Sequence, residues 1–463
     1  MTTSAPTRRP RTLVVGGGFA GLAAAVRLAD AYAGEGYSGR EVLVVEAAKV
    51  GGGRSRSFHD KVTGREIDNG QHLLMGCYYE TLAFLRSIDA PIDEAIHFQR
   101  DLALTMVKPG GKTIDLACPA LPAPLHLAAG LLRMRGLGLL HRASALRAGV
   151  MLRGEIERPD DGETCDAWLR RLDQTQAVRA AFWEPLIWAV LNDDPLVASA
   201  AMLVAVLERA FMSTRDASRL GVPKRPLSDI YVGPAVDYIR SQGGEVRFAS
   251  PARSLDLDAD GKIAGVTLKS GEQLEADTVI TAVPPHALLA MLPEAATEHL
   301  VFRDVARLEA SPIVNLWATL DRPILGPLDR DFVGLVASPL HWLWDRDRIT
   351  GEGSKDTNLL SVTISGARAT VHDHPEALRE VFVQELERFF PGHGASVRSF
   401  RVVKEKRATI SHAAGTYRRR PPTRSPIPGL LLAGDWVRTG IPATIESAVQ
   451  SGHDAASIAL GLR

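Results

Sequence analysis

Thr12-Leu13-Val14-Val15-Gly16-Gly17-Gly18-Phe19-Ala20-Gly21 is the stretch that decides the fold of this chain. Thr12 to Val15 is a short β-branched, apolar run of the kind that forms a strand buried on both faces. It leads straight into a G-x-G-x-x-G, and Leu22 to Ala33 follows with Ala, Leu and Val at helical spacing. In such a unit the first glycine permits the tight turn, the second lets backbone approach a pyrophosphate, and the third lets the helix lie close on the strand. The phosphates then meet the free N–H groups and positive dipole end of a helix. A second apolar strand, Glu41 to Val45, ends at Glu46, 25 positions beyond Gly21. A carboxylate there accepts from ribose hydroxyls and repels a 2′-phosphate. A lone glycine triplet carries little weight; strand, triplet, helix, strand and terminal Glu in that order specify a dinucleotide site.

Working outward, Val50-Gly51-Gly52-Gly53-Arg54-Ser55-Arg56-Ser57 follows the second strand. Its glycines again admit close backbone, and Arg54 supplies a guanidinium suited to a pyrophosphate. NAD dehydrogenases have no need of this element, so the nucleotide expected is FAD. The triplet, Gly52-Gly53-Arg54 and Leu432-Ala-Gly434-Asp435-Trp436 together resemble the amine oxidase/phytoene desaturase superfamily. The resemblance implies that Gly434 and Asp435 contact the ribityl–pyrophosphate portion, and that Pro442-Ala443-Thr444 caps a helix aimed at the flavin ring. A helix N-terminus at that edge would stabilise the negative charge of a reduced flavin.

More narrowly, the chain is similar to the hydroxysqualene dehydroxylase family. The matching fragments run almost end to end: Asp68-Asn-Gly-Gln-His72, Phe182-Trp-Glu-Pro-Leu186 with Leu191-Asn192, Ala282-Val-Pro-Pro-His286, Lys406-Arg-Ala-Thr409, and Thr439-Gly-Ile-Pro-Ala-Thr444. Gly51 is an extra glycine against that pattern. The resemblance implies reductive removal of hydroxyl from hydroxysqualene to give squalene. It also implies an α/β fold: a Rossmann-type FAD-binding domain (10–80, 235–300 and 405–463) interleaved with an α+β substrate domain of mixed sheet and helices (81–234 and 301–404). The three cysteines, Cys77, Cys118 and Cys165, all lie outside the C-terminal third, which excludes thioether attachment of flavin there, so FAD is expected to be non-covalent.

Bulk properties exclude other classes. Lys+Arg and Asp+Glu are both 54, so no net field attracts nucleic acid. No CxxC occurs, and His372-Asp-His374 reads as a loop entering a helix rather than a metal site. The basic N-terminus with Arg8-Arg9 lacks the uninterrupted apolar run of a secretory signal, which makes the cytoplasm the expected compartment. Leu116 to Leu132 carries Pro119, Pro122 and Pro124, so it does not read as a span. Between 116 and 154 there is no acidic residue, but Arg133, Arg135, Arg142, Arg147 and Arg153 occur among leucines, with Gly136 and Gly138 dividing two short amphipathic helices. Two readings stay open for it: a helical lid with a solvated basic face, or a peripheral contact with an anionic membrane. Arg418 to Arg424 reads as a solvated connector.

Reductive dehydroxylation of an allylic alcohol needs a proton for the leaving oxygen, stabilisation of the developing allylic cation, and hydride from flavin N5. Glu184, inside an apolar run that would raise its pKa, and His72 lead the acid candidates, followed by Asp194 and Asp193. Trp183, Trp188, Trp342 and Trp344 are candidate cation-stabilising faces, with plain core packing the competing reading for each. With a single dinucleotide fingerprint, electrons are expected from an external donor. A carotenoid-type desaturase, a flavin amine oxidase and a non-catalytic flavin scaffold are the alternatives.

Overall fold

The computed structural model describes residues 11–34, 41–151, 158–353 and 356–462. Arg8-Arg9 and Arg153 lie outside the described residues. A five-stranded parallel sheet carries strands in the order Glu245–Arg247, Glu41–Val45, Arg11–Val15, Thr278–Thr281 and Leu430–Leu432. Both faces are covered, as the apolar runs require. Val14, Val44 and Ile280 face a core shared with the helices Phe19–Ala33 and Ile445–Ala459. Leu13, Val15, Leu43, Val45 and Val279 face a second core with Leu255, Val266 and Leu274, which belong to a three-stranded antiparallel sheet. The two helices of the first core touch through Gly452, where a Cβ would stand 2.2 Å from the carbonyl oxygen of Ala20.

The second layer of the molecule is a seven-stranded mixed sheet in the order Val397–Ile410, Ala310–Leu320, Asn358–Ile364, Trp342–Asp345, Phe332–Leu335, Ala103–Val107 and Thr113–Ala117. Only the Phe332–Leu335 and Ala103–Val107 pair is parallel. The strand Val397–Ile410 runs without a break through the domain boundary expected at 404/405. It stays in the mixed sheet along its length because it pairs with Ala310–Leu320 from Ala310 to Leu320, and its end reaches the nucleotide loops.

The segment after Thr113–Ala117 forms two helices, Leu125–Leu132 and Leu139–Met151. Among the described residues no helix is long and apolar enough to cross a membrane. His374 precedes the helix Pro375–Phe389, and among the described residues no cluster of metal-ligating side chains occurs.

Candidate active site

One cavity of about 980 Å³ runs from the nucleotide loops to the mixed sheet. At its nucleotide end lie Gly16, Gly18, Phe19, Ala20, Glu46, Gly52, Gly53, Arg54, Gly434, Asp435, Ala443 and Thr444. Gly18 starts the helix with no side-chain cap, and a Cβ built there meets nothing within 4 Å, so the helix tip faces open space. Gly21 and Pro442 do not line the cavity. A Cβ on Gly21 would stand 1.8 Å from the Gly16 carbonyl oxygen, so its task is the close approach of helix to strand. Pro442 presents its carbonyl to the Thr444 hydroxyl, and Thr444 in turn accepts from the Ser447 N–H as the N-cap of the C-terminal helix.

The extra glycine has a packing reason. A Cβ on Gly51 would meet Val232 at 2.7 Å, while Gly52 takes φ +104, which L side chains rarely adopt. The two glycine loops are then clamped together. Gly52 N–H donates to the Gly17 carbonyl at 2.8 Å, the Tyr231 hydroxyl donates to the Gly52 carbonyl at 2.9 Å, and Tyr231 stacks on Phe19 at 3.7 Å between centroids. Glu46 accepts from Gly17 N–H and Ala48 N–H, which fixes the carboxylate on the cavity wall. Arg54 is anchored rather than free: it pairs with Asp435 at 2.6 Å and donates to the Ala408 carbonyl at 2.7 Å. Two of its five N–H donors are so used, which leaves three on a side chain that lines the cavity.

Arg420 overturns the expectation of a solvated connector at 418–424. It is 1% exposed and donates to the carbonyls of Asp435, Trp436, Val437 and Ile441 and to the Ser447 hydroxyl. Arg418 and Arg419, its exposed neighbours, hid it in a run of like charge. His412 supports the same loop: its Nδ1–H donates to the Leu191 carbonyl at 2.6 Å and its Nε2 accepts from Ala443 N–H at 2.8 Å. Burial lowers the His412 pKa to about 4, so the imidazole is neutral at pH 7.

The rest of the cavity crosses the mixed sheet, and every one of the seven strands contributes to its floor. In sheet order these residues are Glu405 and Thr409, Ile313 and Asn315, Thr363, Trp342 and Trp344, Phe332, Leu104 and Met106, and finally Ile114 and Leu116. Ile313 and Asn315, Trp342 and Trp344, Leu104 and Met106, and Ile114 and Leu116 are each two apart, so each of these pairs shares one face of the sheet, while the irregular pairing of Val397–Ile410 between Thr409 and Glu405 lets Ala408 line the cavity as well. Six spacings of about 4.8 Å give a groove of roughly 29 Å. Its chemistry is graded: polar beside the nucleotide loops, aromatic at mid-sheet, aliphatic at the far end. The helix Glu184–Leu191 roofs it with Pro185, Leu186, Ala189 and Val190.

The acid candidates separate on this geometry. His72 lines the cavity, with its Nε2 buried and unpartnered. Burial lowers its pKa, against the pull of Asp68, and Arg54 lowers it further. Glu184 does not line the cavity. Burial raises its pKa, as its sequence context suggests, but the carboxylate turns toward Arg179 at 3.9 Å while its neighbours Pro185 and Leu186 face inward. Asp194 is exposed and accepts from Leu196 N–H in a turn. Asp193 is 1% exposed and latches Ser411, the His412 N–H and Arg368. Neither lies in the cavity. Two groups that sequence reading passed over do: Glu405, which accepts from Asn69 at 3.3 Å, and Tyr78, whose hydroxyl bonds Thr444 and is held protonated by burial. Glu405 sits in the surface-like run Lys404-Glu405-Lys406-Arg407, and only its place on a sheet face reveals it. Among the tryptophans, Trp342 and Trp344 line the cavity with Phe332 stacked on Trp344 at 4.5 Å. Trp183 donates to Gln174 in the core, and Trp188 stacks on His341.

A model of flavin containing amine oxidoreductases matches residues 19–460. The chain belongs to that family. It is 28% identical to the hydroxysqualene dehydroxylase of Zymomonas mobilis over 97% of this chain and 99% of that one. It is 26% identical to the 15-cis-phytoene desaturase of Synechococcus elongatus over 96% of this chain and 94% of that one. An oxidoreductase from Methanosarcina mazei has the same fold, with a TM-score of 0.74 at 20% identity over 96% of this chain and 99% of that one. The chain is therefore an FAD-dependent oxidoreductase. The uncapped helix tip, the open side of Gly18, the Glu46 carboxylate and the residual Arg54 donors fit that nucleotide. No cysteine lines the cavity among the described residues. Pro251 and Arg253, in the segment after Phe248 that the resemblance sets beside the adenine, line the cavity together with Lys269.

Proposed function

We infer that this enzyme reductively dehydroxylates an allylic isoprenoid alcohol, converting hydroxysqualene to squalene. The observation that carries the reading is the graded groove across seven strands. It offers hydrogen-bonding groups where the nucleotide loops meet the sheet, and beyond Trp342 it offers hydrocarbon alone. A polar amine would leave most of that length unfilled, whereas an isoprenoid chain buries its surface there. FAD, when bound and reduced, supplies the hydride. The C–O bond breaks and a C–H bond forms; two electrons enter with the hydride, and one proton converts the departing hydroxyl to water.

The chain's own groups handle the rest. The Tyr78 phenol, kept protonated by burial, donates at the flavin end, where Glu405 also lines the cavity, and His72, its pKa lowered by burial, offers a hydrogen bond to the carbinol through Nε2. The faces of Trp342, Trp344 and Phe332 stabilise positive charge on the chain without trapping it as a nucleophile would. The electron donor is external to this chain.

Anaerobic mixing of the photoreduced holoenzyme with hydroxysqualene tests the reading. Flavin reoxidation with one squalene formed per flavin is expected; a flavin that stays reduced refutes it. The similarity to a phytoene desaturase supports a second reading in which the oxidised enzyme removes hydrogen from a polyene. Bleaching of the oxidised flavin by phytoene, with no response of the reduced enzyme to the alcohol, would favour that reading instead.

A further inference from the structure

The hydrocarbon end of the groove is closed by a wall one helix thick. Ile114, Leu116 and Met134 line its inner side. The helix Leu125–Leu132 packs so tightly across it that a Cβ on Gly130 would stand 3.1 Å from Leu116 Cδ1 and 2.6 Å from Cys118 Sγ. The outer side of the same wall is apolar and bare. Leu121, Leu125, Leu132, Leu139 and Leu140 are 40%, 55%, 52%, 77% and 84% exposed. Leu125 and Leu132 are seven apart and share a helix face. Arg142 donates to the carbonyls of Leu132 and Leu137, which sets Leu139 and Leu140 beside the end of the first helix. Isolated exposed leucines need no explanation, but five within 20 positions form a patch.

Cations border it. Arg133 and Arg135 are exposed with no side-chain partner among the described residues, and Lys108 reaches the Gly136 carbonyl at 3.1 Å. Arg147 is paired with Asp173. The nearest preceding carboxylate, Asp115, is turned to the hydroxyls of Thr105 and Thr113. An apolar patch bordered by unpaired cations is complementary to an anionic bilayer surface.

We propose that this face docks on an anionic lipid bilayer. The five leucines enter the headgroup–acyl boundary, Lys108, Arg133 and Arg135 lie on headgroup phosphates, and the groove is held against the bilayer in which an isoprenoid substrate dissolves. The substrate's part in this rests on the reading above; the docking does not.

Co-sedimentation of the yellow holoenzyme with phosphatidylcholine vesicles, with and without phosphatidylglycerol, tests it. Binding is expected only with phosphatidylglycerol, and it falls as salt rises. Each of Arg133→Glu and Arg135→Glu weakens it roughly fivefold or more, from about 1 kcal/mol per basic residue. Leu139→Asp with Leu140→Asp abolishes it, while Leu300→Asp, at an exposed leucine elsewhere, leaves it intact. Flavin absorbance and melting temperature report folding of each variant. Turnover of detergent-dispersed hydroxysqualene is unchanged in the Leu139/Leu140 variant. Wild-type protein that ignores the vesicles, or binding indifferent to these substitutions, overturns the docking. Vesicle binding without any turnover overturns the substrate reading and leaves the docking standing.

Discussion

Replacing Arg420 by Ala tests whether one buried guanidinium holds the C-terminal wall of the FAD site. Its removal deletes every hydrogen bond described to the carbonyls of Trp436, Val437 and Ile441, while the Asp435 carbonyl keeps the Ser447 hydroxyl at 3.1 Å. Three orphaned carbonyls, two buried and that of Ile441 partly so, at about 1–3 kcal/mol each, less whatever water recovers on entering the space, come to about 3–5 kcal/mol. These carbonyls belong to the loop between Asp435 and Thr444, both of which line the cavity, so much of the loss falls on FAD affinity. A loss of about 3–5 kcal/mol corresponds to roughly a hundred- to a thousandfold or more in Kd. The assay is FAD titration of apoprotein followed by quenching of flavin fluorescence, with circular dichroism to confirm folding. Arg418→Ala and Arg419→Ala, at exposed positions, should bind within about twofold of wild type, since surface substitutions lie within ±0.5 kcal/mol. Arg420→Ala protein that binds FAD within threefold of wild type would refute the reasoning.

Gly21→Ala should fold poorly or bind no FAD, because its Cβ would overlap the Gly16 carbonyl oxygen at 1.8 Å; a yellow, stable variant contradicts this. Acid sensitivity should be visible below neutrality: burial lowers the pKa of both His412 and His341 to about 4, so the unfolded chain binds more protons between about pH 4 and 6.5. Stability is then complete above about pH 6.5 and is lost as pH falls through that window, and His412→Gln should reduce the slope by about one proton in urea-unfolding series against pH. Leu104→Trp overfills the aliphatic end of the groove, so kcat/KM for a thirty-carbon allylic alcohol should drop about tenfold or more against a fifteen-carbon one, from an overpacking cost of about 1–3 kcal/mol. Equal losses for the two lengths would show that the chain does not extend to Leu104.

The nucleotide half of the site was legible because its physics is local. Gly16, Gly18, Glu46 and Gly52 each answer a demand made by a neighbour within one strand–helix–strand unit and the loop that follows it, so order and spacing alone place them. Even there, Pro442 acts on the protein's own backbone and not on the cavity, while Gly21 performs the close helix–strand approach that its place in the triplet predicts. The substrate half was illegible for the converse reason. The groove floor is assembled from seven strands drawn from residues 104 to 409, and each strand donates only one to three residues of ordinary type. Glu184 stands out in sequence because an acid in an apolar run must be buried or partnered; it is half-buried beside Arg179 at 3.9 Å, outside the cavity. Glu405 was passed over because charges surround it in sequence, yet strand alternation turns it to the cavity face at the strand that reaches the nucleotide loops. Arg420 was hidden by the same effect, three arginines in a row with only the third buried. A titratable residue's sequence neighbours therefore report its solvation only when a helix or strand face makes them its spatial neighbours too. Where register decides, as at 405 and 420, local composition points the wrong way, and such sites should be sought by asking which side of the strand or turn faces the cavity.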